Sequence, residues 1–310
     1  MPRTAVCVDI VQNAGAEVRV DTPTRASAWG FTIKSAKEMA ADRFPGHVAP
    51  RFLFRMAQSE NLLPFVLGVH RAPLALPALR AAGGTWSILD EAEIRRQGFT
   101  QTARRFAAIN QRLKTVGKGK SLQQRIDERG KLSKQVFGMS GYLILAGAGG
   151  KIICAACVPV AQAQDLVVDQ TLYWKVVTDA DEAWYQVGML NSEALTNATL
   201  AFNPKGDFGE RHLHTLPYRM MPAYDAANGD HQQIAVLAED IATLADGHCT
   251  TDLYLADPAK ALTARRRKLR TLLEASPLLA QLETLAQSAL AGASTAPSGG
   301  SGSGTQAPVC

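Results

Sequence analysis

The spacing of apolar and polar residues between Val167 and Asp225 predicts a strand, two helices and a loop. Residues 167–174 alternate with period two and are rich in β-branched and aromatic side chains, as in a strand. Asp179 or Asp181 offers an N-cap for the first helix, whose predicted buried face consists of Ala183, Trp184, Val187 and Leu190. Asn191-Ser192 ends that helix and begins the second, which is expected to bury Leu195, Thr199 and Phe202. The closing loop suits an anion because it combines glycines, cations and imidazoles, namely Lys205, Gly206, Gly209, Arg211, His212 and His214.

Shorter periodic segments predict the other elements. Strands are expected over 4–11, 16–20, 27–33, 62–69, 85–89, 142–146 and 152–160, and the proline-containing stretch 70–80 is expected to be extended. Helices are expected over 91–97 after an Asp90 cap, over 100–116, over 231–247 with Gly247 just past its end, and over 259–290 with a break at Ser276-Pro277. The predicted fold class is α+β, with a mixed sheet, packed helices, a long C-terminal helical segment and a disordered tail.

Composition divides the chain into four consecutive regions. These are an N-terminal α+β part (1–115), a core (116–247), a helical C-terminal segment (248–291) and the tail (292–310). The core begins with the most basic segment, 117–135, in which six of 19 residues are Lys or Arg and which is expected to be mobile. Its cations suit phosphates, and Gln123, Gln124 and Gln135 suit base edges. The alternative is a solvated helix and loop.

The charge of the chain is unevenly distributed. The net charge of the 310 residues is +5, yet residues 1–150 carry 22 Lys and Arg against 11 Asp and Glu, a net charge of +11. A basic half favours a polyanionic partner, commonly nucleic acid, although ordinary surface solubility would give the same composition. Five irregularly spaced cysteines do not form a disulfide framework. No signal peptide or membrane span is predicted, so a cytoplasmic location is expected.

Short motifs in the chain favour structural roles over catalysis. Gly147, Gly149 and Gly150 follow a predicted strand, but another strand comes next, so a hairpin turn is favoured over a nucleotide loop. Cys154 and Cys157 have the spacing of a zinc or redox pair, but no second pair matches them, and small buried side chains are expected instead. A metal site at the two histidines of the closing loop would need further ligands, and the adjacent arginine favours phosphate. No nucleophile, base and oxyanion donor come together in the sequence.

Several blocks, in this order, resemble the C-terminal part of adenine-specific DNA methyltransferases. The family meant is the restriction-modification and phage-defence type, in which a target-recognition region follows the methylase core. The blocks are GKLSKQ (130–135), YLILAGAGGKIICAACVPV (142–160), VVDQTLYW (167–174), DEAWYQVGMLNSEAL (181–195), GDFGERHLHTLPYRMMPAYD (206–225) and the start of the helix at 231–238. The family's cofactor loop is missing, and Asn203-Pro204 lacks the second proline and the aromatic residue of its catalytic motif.

This resemblance implies a DNA-binding target-recognition module, truncated or split from a complete enzyme. Its expected DNA contacts are Lys131, Lys134 and Gln135 on one side of a cleft, and Lys205, Gly206, Gly209, Arg211, His212 and His214 on the other. The implied partners are double-stranded DNA and a separate methylase chain, with no membrane. No cofactor is expected in this chain, since S-adenosylmethionine would be bound only by a complete enzyme. The alternative is a protein-interaction or scaffold subunit of a defence complex, in which the leucines of 259–290 pair with a partner.

Overall fold

The computed structural model describes residues 7–14, 17–21, 44–68, 73–116, 119–147, 153–200, 202, 216–257 and 259–295. Its strands are β1 (Asp9–Ala14), β2 (Glu17–Asp21), β3 (Gly46–Val48), β4 (Leu53–Ala57), β5 (Leu62–Leu63), β6 (Val66–Leu67), β7 (Leu74–Ala75), β8 (Ala78–Arg80), β9 (Trp86–Ile88), β10 (Tyr142–Gly147), β11 (Ala155–Pro159), β12 (Leu166–Val168) and β13 (Leu172–Val177). Its helices are α1 (Glu91–Arg96), α2 (Thr100–Val116), α3 (Leu122–Ile126), α4 (Ala180–Asn191), α5 (Glu193–Leu200), α6 (Leu216–Met220), α7 (Gly229–Thr251), α8 (Leu253–Ala256), α9 (Leu262–Glu274) and α10 (Pro277–Thr295). This mixture of small sheets and packed helices, with long helices towards the C-terminus, is the predicted α+β class.

The chain forms two units from alternating segments. Unit 1 comprises the described parts of Met1–Met56, His70–Met139 and Gln164–Val167, and unit 2 comprises those of Ala57–Val69, Ser140–Ala163 and Val168–Cys310. The boundaries expected from composition, which are consecutive along the chain, stay a prediction. Among the described residues, no helix combines the length and the apolar character that a membrane crossing requires.

Unit 1 surrounds a core of aliphatic and aromatic side chains. Its strands include the antiparallel sheet β1–β2–β3 and the hairpin β8–β9. The helix α2 buries Phe106, Ile109 and Leu113, as its apolar spacing predicts. The ring of Phe52 meets that of Phe106 edge-on at 6.4 Å. The helix α1 begins where predicted, because the carboxylate of Asp90 accepts a hydrogen bond from the Glu93 amide.

Unit 2 is built on the antiparallel sheet β11–β10–β13 and on the close packing of α4 against α7. The strands β10 and β11 are antiparallel neighbours, as expected for the two arms of a hairpin. A Cβ atom on Gly188 of α4 would lie 2.9 Å from Ile234 Cγ2 and 3.1 Å from Ala238 Cβ, so the two helices approach more closely there than a larger residue would allow. Asp179 caps α4 and Ser192 caps α5, which confirms the predicted helix–break–helix pattern.

Four local predictions were wrong. The alternation over 167–174 covers two strands, because the Asp169 carboxylate accepts from the Thr171 amide and turns the chain. The run 62–69 is not one strand but the small hairpin β5–β6. The helix α7 continues to Thr251 because the exposed Gly247 takes a helical conformation. Phe202 is 57% exposed and lies beyond the end of α5. The predicted strand over 27–33 and the tail from 296 lie outside the described residues.

Asn191 at the end of α4 ties three segments of unit 2 together. Its side-chain oxygen accepts from the amides of Phe65 and Ala155 at 3.3 and 3.2 Å. Its side-chain nitrogen donates to the carbonyls of Ala155 and Val187, both at 2.9 Å. The residue is 1% exposed, so water cannot replace these partners.

Replacing Asn191 with alanine is expected to lower the free energy of unfolding by about 2–3 kcal/mol, because it leaves buried backbone groups unsatisfied. The measurement is urea denaturation followed by circular dichroism. The matched control is Asn197→Ala on α5, where the asparagine is exposed and the expected change is within about 0.5 kcal/mol. Equal effects of the two substitutions would contradict the role assigned to Asn191.

Candidate nucleic-acid interface

The basic segment that follows α2 is a structured part of unit 1. From Gly119 on, it consists of the short helix α3, a turn at Glu128–Gly130 and a loop to Met139. Ser121 and Gln124 form a reciprocal capping box at the start of α3. The Asp127 carboxylate then accepts hydrogen bonds from the amides of Leu132 and Ser133 at 2.9 and 2.8 Å. The mobility expected from composition is therefore wrong for this part, since side chains fix its backbone.

Arg80, at the end of β8, holds the last part of the segment in place. Its guanidinium lies 4.5 Å from the ring centre of Trp86 and 4.1 Å from that of Phe137. It donates to the carbonyl oxygen of Gln135 at 2.6 Å, which also accepts from the Trp86 indole at 3.1 Å. Arg80 also donates to the carbonyl oxygens of Gln164 and Leu166, which belong to the chain segment Gln164–Val167. Burial lowers the pKa of Arg80 to about 10, so the side chain stays charged at neutral pH.

The turn of the β8–β9 hairpin packs directly under the segment. Gly84 in this turn has φ +89°, a conformation that favours glycine. A Cβ atom there would lie 2.9 Å from the backbone nitrogen of Phe137. The hairpin and the segment are therefore in close backbone contact, and Phe137 is buried between the exposed Val136 and the half-buried Gly138.

The three residues of this segment that are predicted to contact DNA differ in their exposure to solvent. Lys131 and Lys134 are exposed, as a phosphate contact requires. Gln135 is 6% exposed, and its side-chain amide donates to the Lys131 carbonyl at 2.9 Å. That burial favours a structural role for Gln135 over contact with a base. The other six predicted contact residues, Lys205, Gly206, Gly209, Arg211, His212 and His214, lie outside the described residues.

Two exposed apolar residues lie in the same segment and were not expected from the sequence. Val136 is 45% exposed and Met139 is 73% exposed. In the sequence, the only sign of these residues is that Val136 and Met139 flank Phe137-Gly138 within a basic stretch. This pattern does not show which of the three apolar side chains, Val136, Phe137 or Met139, is buried.

Three of the four side chains of the second basic patch, 265–268 in α9, have partners inside unit 2. Arg265 is 2% exposed and donates to the carbonyls of Leu255 and Glu60 at 2.8 and 3.2 Å. Arg266 donates to the carbonyls of Leu62 and Ser59 at 3.0 and 3.1 Å. Lys268 pairs with Asp252 at 2.5 Å. Most of this patch therefore binds within unit 2, and Arg267 is its exposed member.

Burial raises the thiol pKa of both Cys154 and Cys157, which disfavours the reactive thiolate. Cys154 is buried, which raises its thiol pKa. Burial raises the pKa of Cys157 on β11 to about 12. Within the described part of the chain no cluster of His, Cys, Asp or Glu has the arrangement of a metal site.

Comparison with known proteins gives little further information. No family model matches the chain, and no curated protein matches it. Among solved structures, it is similar to the Type IIL restriction-modification enzyme MmeI in complex with DNA, with a TM-score of 0.42 and 13% sequence identity. The similarity covers 80% of this chain and 32% of that one. At this level the likeness does not establish a common fold, and no activity of this chain follows from it.

Replacing Arg80 with methionine is expected to free the segment from the hairpin and lower the free energy of unfolding by about 2–3 kcal/mol, because hydrogen bonds from a charged group are lost. Trypsin should then cut after Lys131 and Lys134 about tenfold faster, since local opening exposes the backbone. Arg96→Met is the control, because the Arg96 side chain is 73% exposed on α1. Unchanged cleavage of the Arg80 variant would show that Arg80 does not hold the segment.

Alkylation of Cys157 by iodoacetamide at pH 8 is expected to be slow in the native protein. With a pKa of about 12, only about one thiol in 10⁴ is ionised, against about a quarter for an ordinary thiol. Mass spectrometry of tryptic peptides should therefore show labelling about 10³-fold slower than in the urea-unfolded protein. Equal labelling rates in the native and unfolded states would contradict the raised pKa.

Proposed function

We propose that the chain is a DNA-binding target-recognition module of an adenine-specific DNA methyltransferase system, and that the basic segment Gly119–Met139 of unit 1 is one of its DNA contacts. The observation that carries this proposal is a backbone fixed by Asp127 and Arg80 that presents Lys131 and Lys134 to solvent. A rigid cationic surface binds phosphates without a large ordering cost. The charge of +11 in the first 150 residues gives the long-range attraction that a polyanion needs.

Three cations of the segment, Arg129, Lys131 and Lys134, are exposed to solvent. Lys120 pairs with Glu128, which holds the pKa of that carboxyl below its ordinary value. Lys134 forms no ion pair with a described residue, and Arg129 is exposed at φ +63°. The order of the sequence blocks over 130–238 supports the target-recognition assignment, and the loop 205–214 is proposed as the second DNA contact.

The structure removes the main feature that favoured a scaffold subunit. The leucines of 259–290 were the expected partner surface, but Leu269, Leu273, Leu279 and Leu282 are at most 3% exposed. They pack in the core of unit 2 with α7 residues such as Ile234 and Ile241. The helix α9 and the start of α10 therefore expose no leucine-lined face to which a partner could bind.

The test is fluorescence polarisation with labelled duplexes over a range of potassium chloride concentrations. Removing one phosphate contact should reduce the slope of log affinity against log salt by about 0.9. We expect Lys131→Ala and Lys134→Ala each to do so, and to weaken binding about three- to tenfold on all duplex sequences alike, because phosphates carry no sequence information.

Lys260→Ala is the matched control, since this lysine is 47% exposed in unit 2 and next to Asp257. It should change neither the affinity nor the slope. A flat salt response of the unaltered protein would refute DNA binding. If the Lys131 and Lys134 variants behave like Lys260→Ala, the DNA contact does not lie in the segment.

A further inference from the structure

We propose that Met139, with Val136 three residues before it, is an apolar wedge that enters the base stack of duplex DNA and opens one step. The proposal rests on the proposed function, because the wedge can act only if the basic segment binds DNA. Proteins that insert Met, Leu, Ile or Phe between base steps in this way unstack and kink the duplex.

The first support is the exposure of two apolar side chains on a fixed backbone. Met139 is 73% and Val136 is 45% exposed, while Phe137 between them is 2% exposed under Arg80. The buried ring anchors the chain and leaves its apolar neighbours facing solvent. A side chain that must push apart stacked bases needs such a rigid base, because a mobile loop would yield first.

The second support is the charge of the segment that carries the two residues. Lys131 and Lys134 are exposed a few residues before them. An apolar protein partner gains nothing from these cations, whereas a duplex places phosphates on either side of each base step. Exposed apolar side chains on a segment that also exposes cations are therefore complementary to DNA and not to an apolar helix.

The third support is that the residues of the turn next to Met139 have small side chains. Met139 Cγ lies 4.0 Å from the position that a Cβ atom of Gly83 would take, so the side chain extends beside the β8–β9 turn. The exposed residues of that turn before Gly83 are Ala81 and Ala82. Because alanine side chains are short, a DNA backbone can come close to this turn, beside the exposed Met139.

The experiment uses the full chain and duplexes that carry 2-aminopurine at successive pyrimidine–purine steps, which open most easily. At saturating protein, fluorescence should rise about threefold or more at one step, because the probe brightens when it is unstacked. Met139→Ala should abolish the rise and weaken binding about tenfold, with an unchanged salt slope, since no phosphate contact is lost. Met139→Leu should restore the rise.

The control for loss of an exposed apolar residue is Leu253→Ala, at a position 86% exposed in unit 2, which should leave the fluorescence rise intact. Salt-dependent binding without any rise would overturn the wedge and leave the proposed function standing. A rise that survives Met139→Ala would also overturn it. Absence of salt-dependent binding would overturn both proposals.

Discussion

The insertion of the Arg80 guanidinium between the rings of Trp86 and Phe137 is the contact on which the basic surface of unit 1 depends. One side chain connects β8, the basic segment and the chain segment at Gln164–Val167, by donating to carbonyl oxygens of the latter two. A guanidinium suits this position because its planar fork donates in several directions while its faces stack on aromatic rings. A lysine ammonium lacks the planar fork and has only three donors, whereas Arg80 makes four donations from three nitrogens, so the arrangement favours arginine.

The elements that could be predicted from the sequence are those determined by residues close to one another along the chain. The helix α2 has the predicted limits because its apolar spacing and flanking residues act within a few turns. The caps at Asp90 and Asp179 act across three residues. The bonds of Arg80, by contrast, reach partners 55 and 86 residues away, and no local pattern marks them. The basic segment was therefore found by its composition, but its rigidity and the exposure of Met139 were not.

Arginine content proved a poor guide to surface charge in this protein. Arg265 and Arg270 are at most 9% exposed and bind main-chain oxygens within unit 2. Arg105 is also buried, donates to the Phe44 carbonyl, and has a pKa lowered by burial to about 10. A run of arginines therefore does not by itself indicate a basic surface, since guanidinium groups can serve as internal donors. The exposed lysines of the segment are the more informative signal.

The alternation of the two units along the chain has a consequence for synthesis on the ribosome. Unit 1 needs Gln164–Val167, which supply the carbonyls for Arg80 and the carboxylate of Asp165 that pairs with Arg55. At ~5–20 residues per second, these residues are added roughly 1–6 seconds after Met139. During that interval the nascent chain carries an incomplete unit 1 core together with the first strands of unit 2. A chaperone would therefore protect the nascent chain most in the period before Val167 has been added.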